Sequence, residues 1–269
     1  MKKTTKMLAT SLLVAVGLAA CGSNSSSSTN AANRLTMTTF GELTTLDSAD
    51  YDDVPSSDMM GQIFEGLYRV AANNKVELGM AAQEPKVSED GLVYTFTLRD
   101  AKWSDGSPVK AQDFVFTYRK LVNPQEGHVA QSADVFKNAK KIRSGELPVE
   151  ELGVKALDDK TLEITLENPA PYLPKLLTGS RFLPQSEAVA QKLGDQYGSN
   201  VTNVVVNGPF KLEGWTGSEL TWKLVKNADY WDASNVALNE VTVNVSKEVA
   251  TSVQLFDSKQ VQYTTISDQ

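Results

Sequence analysis

The sequence predicts a mixed α/β fold (α+β) in which short strands dominate and a few helices lie between them. Alternating apolar and polar residues, which are typical of half-buried strands, recur along the chain and are clearest in residues 92–98. Apolar residues at helical spacing are confined to fewer segments, of which 111–122 is the clearest. Because the two patterns alternate irregularly, the sequence favours a mixed fold.

The elements follow in order along the chain. The sequence predicts a strand at residues 35–39, an acidic loop at 46–58 and a helix at 59–67. Phe114, Tyr118 and Leu121 give the helix at 111–122 its apolar face, and Pro124 ends it. Further elements are expected as follows: a hairpin at 154–157 and 161–166, a helix at 186–194, strands around 220–224 and 241–245, a helix with the stripe Val249, Val253 and Phe256, and a last strand at 261–266.

The N-terminus has the pattern of a secretory leader. A basic start is followed by an apolar or small stretch at residues 7–20, and Leu18-Ala19-Ala20-Cys21 looks like a bacterial lipobox. This apolar run is shorter than the ~18 residues of a transmembrane helix. We therefore predict that residues 1–20 are a lipoprotein signal peptide and that Cys21 is lipidated. An ordinary signal peptide with a stray cysteine is the alternative.

Residues 21–33 are predicted to be a Ser-rich tether, because they contain no large apolar side chain that could join a core. Two acyl chains on Cys21 would anchor the protein to the extracellular face of the cell membrane. Removal of the leader takes away three lysines, so the formal charge changes from −7 to −10. An acidic chain without a basic run argues against nucleic acid as a partner.

Catalytic and metal-binding patterns are absent from the sequence. It contains no Gly-x-Ser-x-Gly elbow, phosphate-binding P-loop or His-Glu-x-x-His motif, and His128 is the only histidine. The acidic loop hints at calcium, but an EF-hand starting at Asp50 would have Pro55 at its glycine position and Gly61 at its glutamate position. We predict no enzyme activity, no metal site and no cofactor.

Several segments together resemble one family. They are Phe64 to Tyr68, Ala82 to Arg99, Ala101 to Phe114, Leu152 to Asp159, Asn207 to Phe210, and Asn227 to Asp232. Their order and composition resemble the N-terminal half of family 5 extracellular solute-binding proteins, in the oligopeptide-binding branch. The resemblance implies a periplasmic-binding-protein-like type II fold. Residues 34–64 and 171–269 would form an incomplete first lobe, residues 65–170 an inserted small subdomain, and the second lobe would be missing.

The resemblance also implies a function. Members are substrate-binding lipoproteins that hold an extended oligopeptide between two lobes by backbone pairing and deliver it to the permease subunits of an ABC importer. Asp52 and Val54 match the loop along the peptide, as an acidic and a main-chain contact, and Thr265 and Ile266 match the groove before the first crossover. Residues 132–134 stand where some members place a tyrosine over the peptide. The protein is expected to be a monomer.

The same resemblance implies a truncated chain, because family members continue well beyond the position of Gln269. One wall of a cleft is expected to bind peptide weakly or not at all, and open sheet edges to favour aggregation. The alternatives are a non-functional fragment of such a protein, or a surface adhesin or structural lipoprotein that reuses one lobe. A hydrolase is the remaining class.

Overall fold

The computed structural model describes residues 33–126 and 130–266. Cys21, the predicted signal peptide, all of the predicted tether except Asn33, and His128 lie outside the described residues. Within the two described ranges, no helix combines the length and the apolar composition needed to cross a bilayer.

The described residues form short strands and helices in irregular order. The strands are β1 (Arg34–Thr39), β2 (Tyr68–Val70), β3 (Val76–Leu78), β4 (Lys86–Val87), β5 (Val93–Thr97), β6 (Val154–Ala156), β7 (Thr161–Thr165), β8 (Phe210–Glu213), β9 (Thr221–Lys226), β10 (Glu240–Val245) and β11 (Tyr263–Thr264). The helices are α1 (Val54–Ile63), α2 (Ala111–Lys120), α3 (Ala139–Arg143), α4 (Leu173–Leu176), α5 (Glu187–Leu193) and α6 (Val249–Asp257).

The larger sheet has the strand order β11-β1-β10-β9-β8. Strand β1 is parallel to both β10 and β11, whereas β9 is antiparallel to both β10 and β8. Alternate side chains such as Trp222, Leu224 and Val243 are buried, as the period-two pattern predicts. Because β1, β10 and β11 run in the same direction, their carboxyl ends meet at one end of the sheet.

A second, antiparallel sheet has the order β4-β5-β7-β6, and β2 pairs with β3 in a separate hairpin. Helix α2 packs on β6 and β7 through its apolar face, which includes the buried Phe114 and Tyr118. The Tyr118 ring also stacks on Phe136, at 5.2 Å between ring centroids, and Phe136 meets Phe182 edge-on at 5.9 Å. This aromatic cluster joins α2 to the segment that follows α4.

The strand and helix predictions differ in accuracy. The predictions for residues 92–98, 161–166 and 111–122 are confirmed within two residues by β5, β7 and α2. The helix predicted at 59–67 is wrong at both ends, since α1 spans Val54–Ile63. Each of the two sheets lies on one side of the predicted subdomain boundaries. One apolar core nevertheless runs through both sheets. The division at residues 64/65 and 170/171 therefore stays a prediction.

Candidate functional site

The loop that precedes α1 exposes the first pair of predicted ligand-binding residues. Asp53 is the N-cap of α1, with extended backbone angles, and its carboxylate accepts a hydrogen bond from the Ser56 N–H at 2.7 Å and another from the Thr44 hydroxyl. The Asp53 side chain therefore has a structural role as the helix cap. Asp52 on one side is exposed, and Val54 on the other is 54% exposed.

A distant segment of the chain holds this loop in place. The Ser180 hydroxyl lies 2.6 Å from the Tyr51 hydroxyl and 2.7 Å from that of Ser57. The Arg181 guanidinium lies over the Tyr51 ring, 4.3 Å from its centroid, and donates a hydrogen bond to the Tyr51 carbonyl. Tyr51, the neighbour of Asp52, is thus fixed at both its ring and its backbone.

The second predicted pair lies just after β11, at the carboxyl end of the larger sheet. The Thr265 N–H and hydroxyl both donate to the Thr38 carbonyl at 3.3 Å, which extends the pairing of β11 with β1. Ile266 is 54% exposed. Thr265 and Ile266 line a small cavity of 70 Å³ together with Phe40 of the loop after β1 and Val249 of α6.

The loop after β1 lies between the two predicted pairs. Phe40 lines the cavity with Thr265, and the next residue, Gly41, packs against Pro55 of α1. A Cβ atom built on Gly41 would lie 2.9 Å from the Pro55 ring, so a side chain at this position would push the two segments apart. The structure therefore brings Asp52, Val54, Thr265 and Ile266 to the same end of the sheet, beyond the carboxyl ends of its parallel strands. Ligands of open α/β sheets bind at this end.

Sequence reasoning missed the residues that position this end of the sheet. Gly41 has a detectable signal, because a glycine in the loop just after a predicted strand often marks a close backbone approach. Ser180 and Arg181 have none, because they are 129 and 130 positions from Tyr51 and fit no local pattern.

A larger cleft of 770 Å³ is lined by residues of α1 such as Ser57, by Ser180, and by Glu65, Arg69 and Asp232. The last three residues belong to an ionic cluster. The buried Glu65 carboxylate accepts hydrogen bonds from Arg69 (3.3 Å), from the Tyr230 hydroxyl (2.7 Å) and from the Trp231 indole N–H. Burial raises the pKa of Glu65, although these donors oppose the shift.

Four of the six segments that carry the family resemblance contribute residues to this cluster. The Asn207 side chain exchanges two hydrogen bonds with the backbone of Glu65, each 3.0 Å long. Arg69 also pairs with Asp232 at 3.2 Å, and Trp231 stacks under Arg99, whose guanidinium carbon lies 3.6 Å from the ring centroid. These residues connect the two sheets, so their part in the pattern is structural.

Three tryptophans and the acidic loop considered for calcium have structural roles. Trp103, Trp215 and Trp222 are core residues, each exposed by 1% or less. In the acidic loop considered for calcium, Asp47 pairs with Lys120 at 2.9 Å and Asp53 caps α1. Among the described residues, no group of three or more His, Cys, Asp or Glu side chains could hold a metal ion.

Residues 132–134 form part of a short 3-10 turn. Ser132 is exposed, Ala133 is buried, and Asp134 pairs with Arg143 at 2.8 Å. In space, Ser132 and Asp134 share a cavity of 360 Å³ with Tyr172.

Comparison with known proteins agrees with this architecture. A family model described as "Bacterial extracellular solute-binding proteins, family 5 Middle" matches residues 75–269. The chain belongs to this family, and the predicted resemblance is confirmed.

Two curated relatives match nearly the whole chain. A dipeptide-binding protein of Lactococcus lactis is 33% identical over an alignment that covers 98% of this chain and 49% of the relative. For the oligopeptide-binding protein OppA of Bacillus subtilis the identity is 32%, and the alignment covers 97% of this chain and 48% of the relative. The chain thus spans about half the length of the curated relatives it matches.

Solved structures confirm the fold class. The structure of Listeria monocytogenes OppA bound to peptide matches with a TM-score of 0.81 and 38% identity, over 85% of this chain and 45% of that one. An oligopeptide ABC transporter substrate-binding domain from Bacillus anthracis matches with a TM-score of 0.81 and 42% identity, over 85% and 44%. The mixed α/β fold of periplasmic-binding-protein type is therefore present over the matched region.

Proposed function

We propose that this chain forms one wall of the peptide-binding cleft of a substrate-binding lipoprotein that serves a peptide ABC importer. It binds extended oligopeptides by backbone pairing, for delivery to the permease subunits, and does not transform them. Family membership supports this proposal, as do the relatives, which include dipeptide-binding and oligopeptide-binding proteins.

The observation that carries the proposal is the meeting of two exposed segments at the carboxyl end of the larger sheet. At one segment, Val54 opens α1. Pro55 has no N–H and the Asp53 cap accepts from the Ser56 N–H, so the main chain of Val54 is the contact proposed for the ligand. At the other, β11 is an edge strand that leads into Thr265 and Ile266. An edge strand offers a row of backbone groups to an extended peptide.

The charge of this surface suggests how a peptide is oriented. The exposed Asp52 carboxylate provides an acidic contact for a cationic group of the ligand. Backbone pairing is independent of side-chain identity, so a single carboxylate and a few pockets leave the choice of peptide sequence broad. The ligand class is therefore oligopeptides in general.

Binding by this chain alone is expected to be weak. A backbone hydrogen bond contributes a net ~0.5–1.5 kcal/mol, whereas ordering a free peptide costs about 1–2 kcal/mol per residue in backbone entropy. One row of hydrogen bonds barely offsets this cost.

The proposal includes the position of the protein in the cell. Lipidation of Cys21 anchors the protein to the extracellular face of the cell membrane, where it meets the permease subunits, and residues 22–33 act as the tether. Metabolic labelling with a radioactive fatty acid tests the anchor. The label should enter the wild-type chain and be lost in the Cys21→Ser variant, and equal labelling of both would contradict lipidation.

Amide shifts in an NMR titration test peptide binding directly. The full chain, labelled with ¹⁵N and held in mild detergent, is titrated with pentaalanine up to millimolar concentration. We expect saturable shifts at residues 52–57 and 264–266, and about twofold weaker binding for Asp52→Ala, as befits one exposed charge contact. Glu89→Ala, an exposed carboxylate in a distant turn, is the control and should bind like wild type. Absence of shifts at both segments would contradict the proposal.

A further inference from the structure

Residues 180–185 form a brace alongside the loop that carries Asp52. Contacts pair the brace and the loop in opposite order along the chain, so the end of the brace meets the start of the loop. There the Gln185 side-chain amide donates a hydrogen bond to the Asp47 carboxylate at 2.6 Å. Both side chains are buried. The start of the loop is therefore attached to the interior of the protein.

The other end of the brace holds the middle of the loop and the first turn of α1. The Arg181 guanidinium lies over the Tyr51 ring, 4.3 Å from its centroid, and donates a hydrogen bond to the Tyr51 carbonyl. The Ser180 hydroxyl lies 2.6 Å from the Tyr51 hydroxyl and 2.7 Å from that of Ser57. In the sequence, these contacts come immediately before and shortly after the two proposed ligand contacts of the loop.

The brace is itself attached to the core. Phe182 is buried, and its ring meets those of Tyr118 and Phe136 edge-on, at 5.8 and 5.9 Å between centroids. Leu183 is also buried, and its carbonyl accepts a hydrogen bond from the Ser48 hydroxyl at 3.2 Å. The side chains that reach from the brace to the loop therefore start from a fixed backbone.

The loop depends on these contacts for its order. Residues 51–53 belong to no helix or strand, so no regular backbone ladder fixes them. A binding loop that is not fixed in advance must be ordered when the ligand binds, and the loss of conformational entropy then weakens the affinity. A loop that is already held in its bound conformation avoids this cost.

We propose that Arg181 and Ser180 are positioning residues for peptide binding, which hold the loop in the conformation that presents Asp52 and Val54 to the ligand. The inference rests on the proposed function and adds the residues that set its affinity. They act through Tyr51 and the first turn of α1 rather than by contact with the ligand.

Affinity and stability are measured on the same variants, because a positioning role and a purely structural role change them differently. The ¹⁵N-labelled full chain is titrated with pentaalanine, and urea denaturation gives the unfolding midpoint. Arg181→Ala should weaken binding about three- to tenfold, read from the initial slope where saturation is not reached. Amide hydrogen exchange should become faster at residues 49–57 and stay unchanged in the larger sheet. A purely structural role would lower the urea midpoint and leave the affinity of the folded chain unchanged.

Arg99 provides a matched control in the ionic cluster. Its guanidinium also lies over an aromatic ring, 3.6 Å from the centroid of Trp231, and also donates hydrogen bonds to backbone carbonyls. Arg99→Ala removes the same kinds of contact from a different part of the fold. It should lower the urea midpoint and leave the affinity for pentaalanine unchanged. Arg181→Lys keeps a cation near the loop and should bind more tightly than Arg181→Ala.

Two milder variants test the brace even if Arg181→Ala does not fold. Ser180→Ala removes the hydroxyl that meets both Tyr51 and Ser57, whereas Tyr51→Phe removes only the contact between Tyr51 and Ser180. We expect both to weaken pentaalanine binding, and Ser180→Ala to do so more strongly. A dispersed amide spectrum establishes that each variant is folded.

The outcomes distinguish the two proposals. Wild-type affinity in Ser180→Ala and in folded Arg181→Ala, with the usual shifts at residues 52–57, would overturn the positioning role and leave the proposed function standing. Equal losses of affinity in Arg181→Ala and Arg99→Ala would do the same. A lack of peptide-induced shifts in wild type would overturn both.

Discussion

At the scale of single residues, Glu65 shows how a family pattern can record structure rather than ligand contact. Its carboxylate is buried and accepts hydrogen bonds from Arg69, Tyr230 and Trp231, which come from two distant parts of the chain. The family pattern contains Glu65, Tyr230 and Trp231 but gives no physical reason for them. Only the folded chain shows that they form one cluster.

Removal of the Glu65 carboxylate should destabilise the protein strongly. Glu65→Ala leaves three donors, including a charged guanidinium, without their shared acceptor, and we expect a loss of about 3 kcal/mol in the free energy of unfolding. The control is Glu77→Ala, which removes an exposed partner of the same Arg69 at 3.7 Å and should cost less than about 0.5 kcal/mol. Urea denaturation measures both, and equal losses would contradict the structural role of Glu65.

The same residue gives stability a pH dependence. Burial raises the pKa of folded Glu65 above its ordinary value of 4.5, so the folded chain takes up this proton at a higher pH than the unfolded chain. The resulting contribution to stability is complete below the unfolded pKa and is lost as pH rises through the folded pKa. Compared with Glu65→Gln, which does not titrate, wild type should gain stability as pH falls from 7 towards 4.5. A difference between the two that stays constant over this interval would contradict the raised pKa.

At the scale of elements, the error in α1 has a local physical cause. The apolar residues that suggested a helix at 59–67 continue to Leu67, but the Asp53 cap and Pro55 in the first turn start the helix at Val54. The cap could have been read from the sequence, since Asp two positions before Pro is a typical helix start. The end could not, because Phe64 to Leu67 are buried in extended chain by tertiary packing.

Neighbouring aspartates should therefore have separate roles. Asp53→Ala removes the cap of α1 and should lower the free energy of unfolding by about 1 kcal/mol. Asp52→Ala alters an exposed side chain and should change it by no more than about 0.5 kcal/mol. Thermal and urea denaturation of the two variants make the comparison, and a larger loss for Asp52→Ala would contradict the assignment of the cap.

Strands were easier to predict than contacts between them. Alternation identified β5, β7, β9 and β10, because one face of each is buried and the other is not. The register that sets Thr265 beside Thr38 joins residues 227 positions apart, and no local pattern contains it. The candidate site therefore depended on the family resemblance for Asp52, Val54, Thr265 and Ile266, and on the structure for the residues that hold them.

At the scale of the whole molecule, helix α6 and the edge strand β11 form a surface with exposed apolar side chains and an open strand edge. The stripe of Val249, Val253 and Phe256 was identified from the sequence, yet these side chains are 41–48% exposed, and Ser252 is the only buried residue of the helix. A helix stripe of this kind normally packs against a core. Here it lies open beside β11, the outermost strand of the sheet.

This surface should make the chain associate at high concentration. An apolar helix face beside an open strand edge favours contact with another copy, since both bury unsatisfied surface. Sedimentation velocity over a range of concentrations should show reversible association of wild type. Val253→Glu, which places a charge in the centre of the stripe, should shift the equilibrium towards the monomer.

Leu157→Glu adds the same charge to an exposed apolar residue just after β6 of the other sheet (55% exposed, against 41% for Val253) and should leave the association unchanged. If both variants weaken association equally, net charge rather than the α6 surface controls it. If wild type sediments as a monomer at every concentration, the exposed stripe is tolerated by the isolated chain, and the prediction is wrong. The paired design thus assigns any association to one surface of the molecule, because the two variants carry the same net charge and differ only in where it is placed.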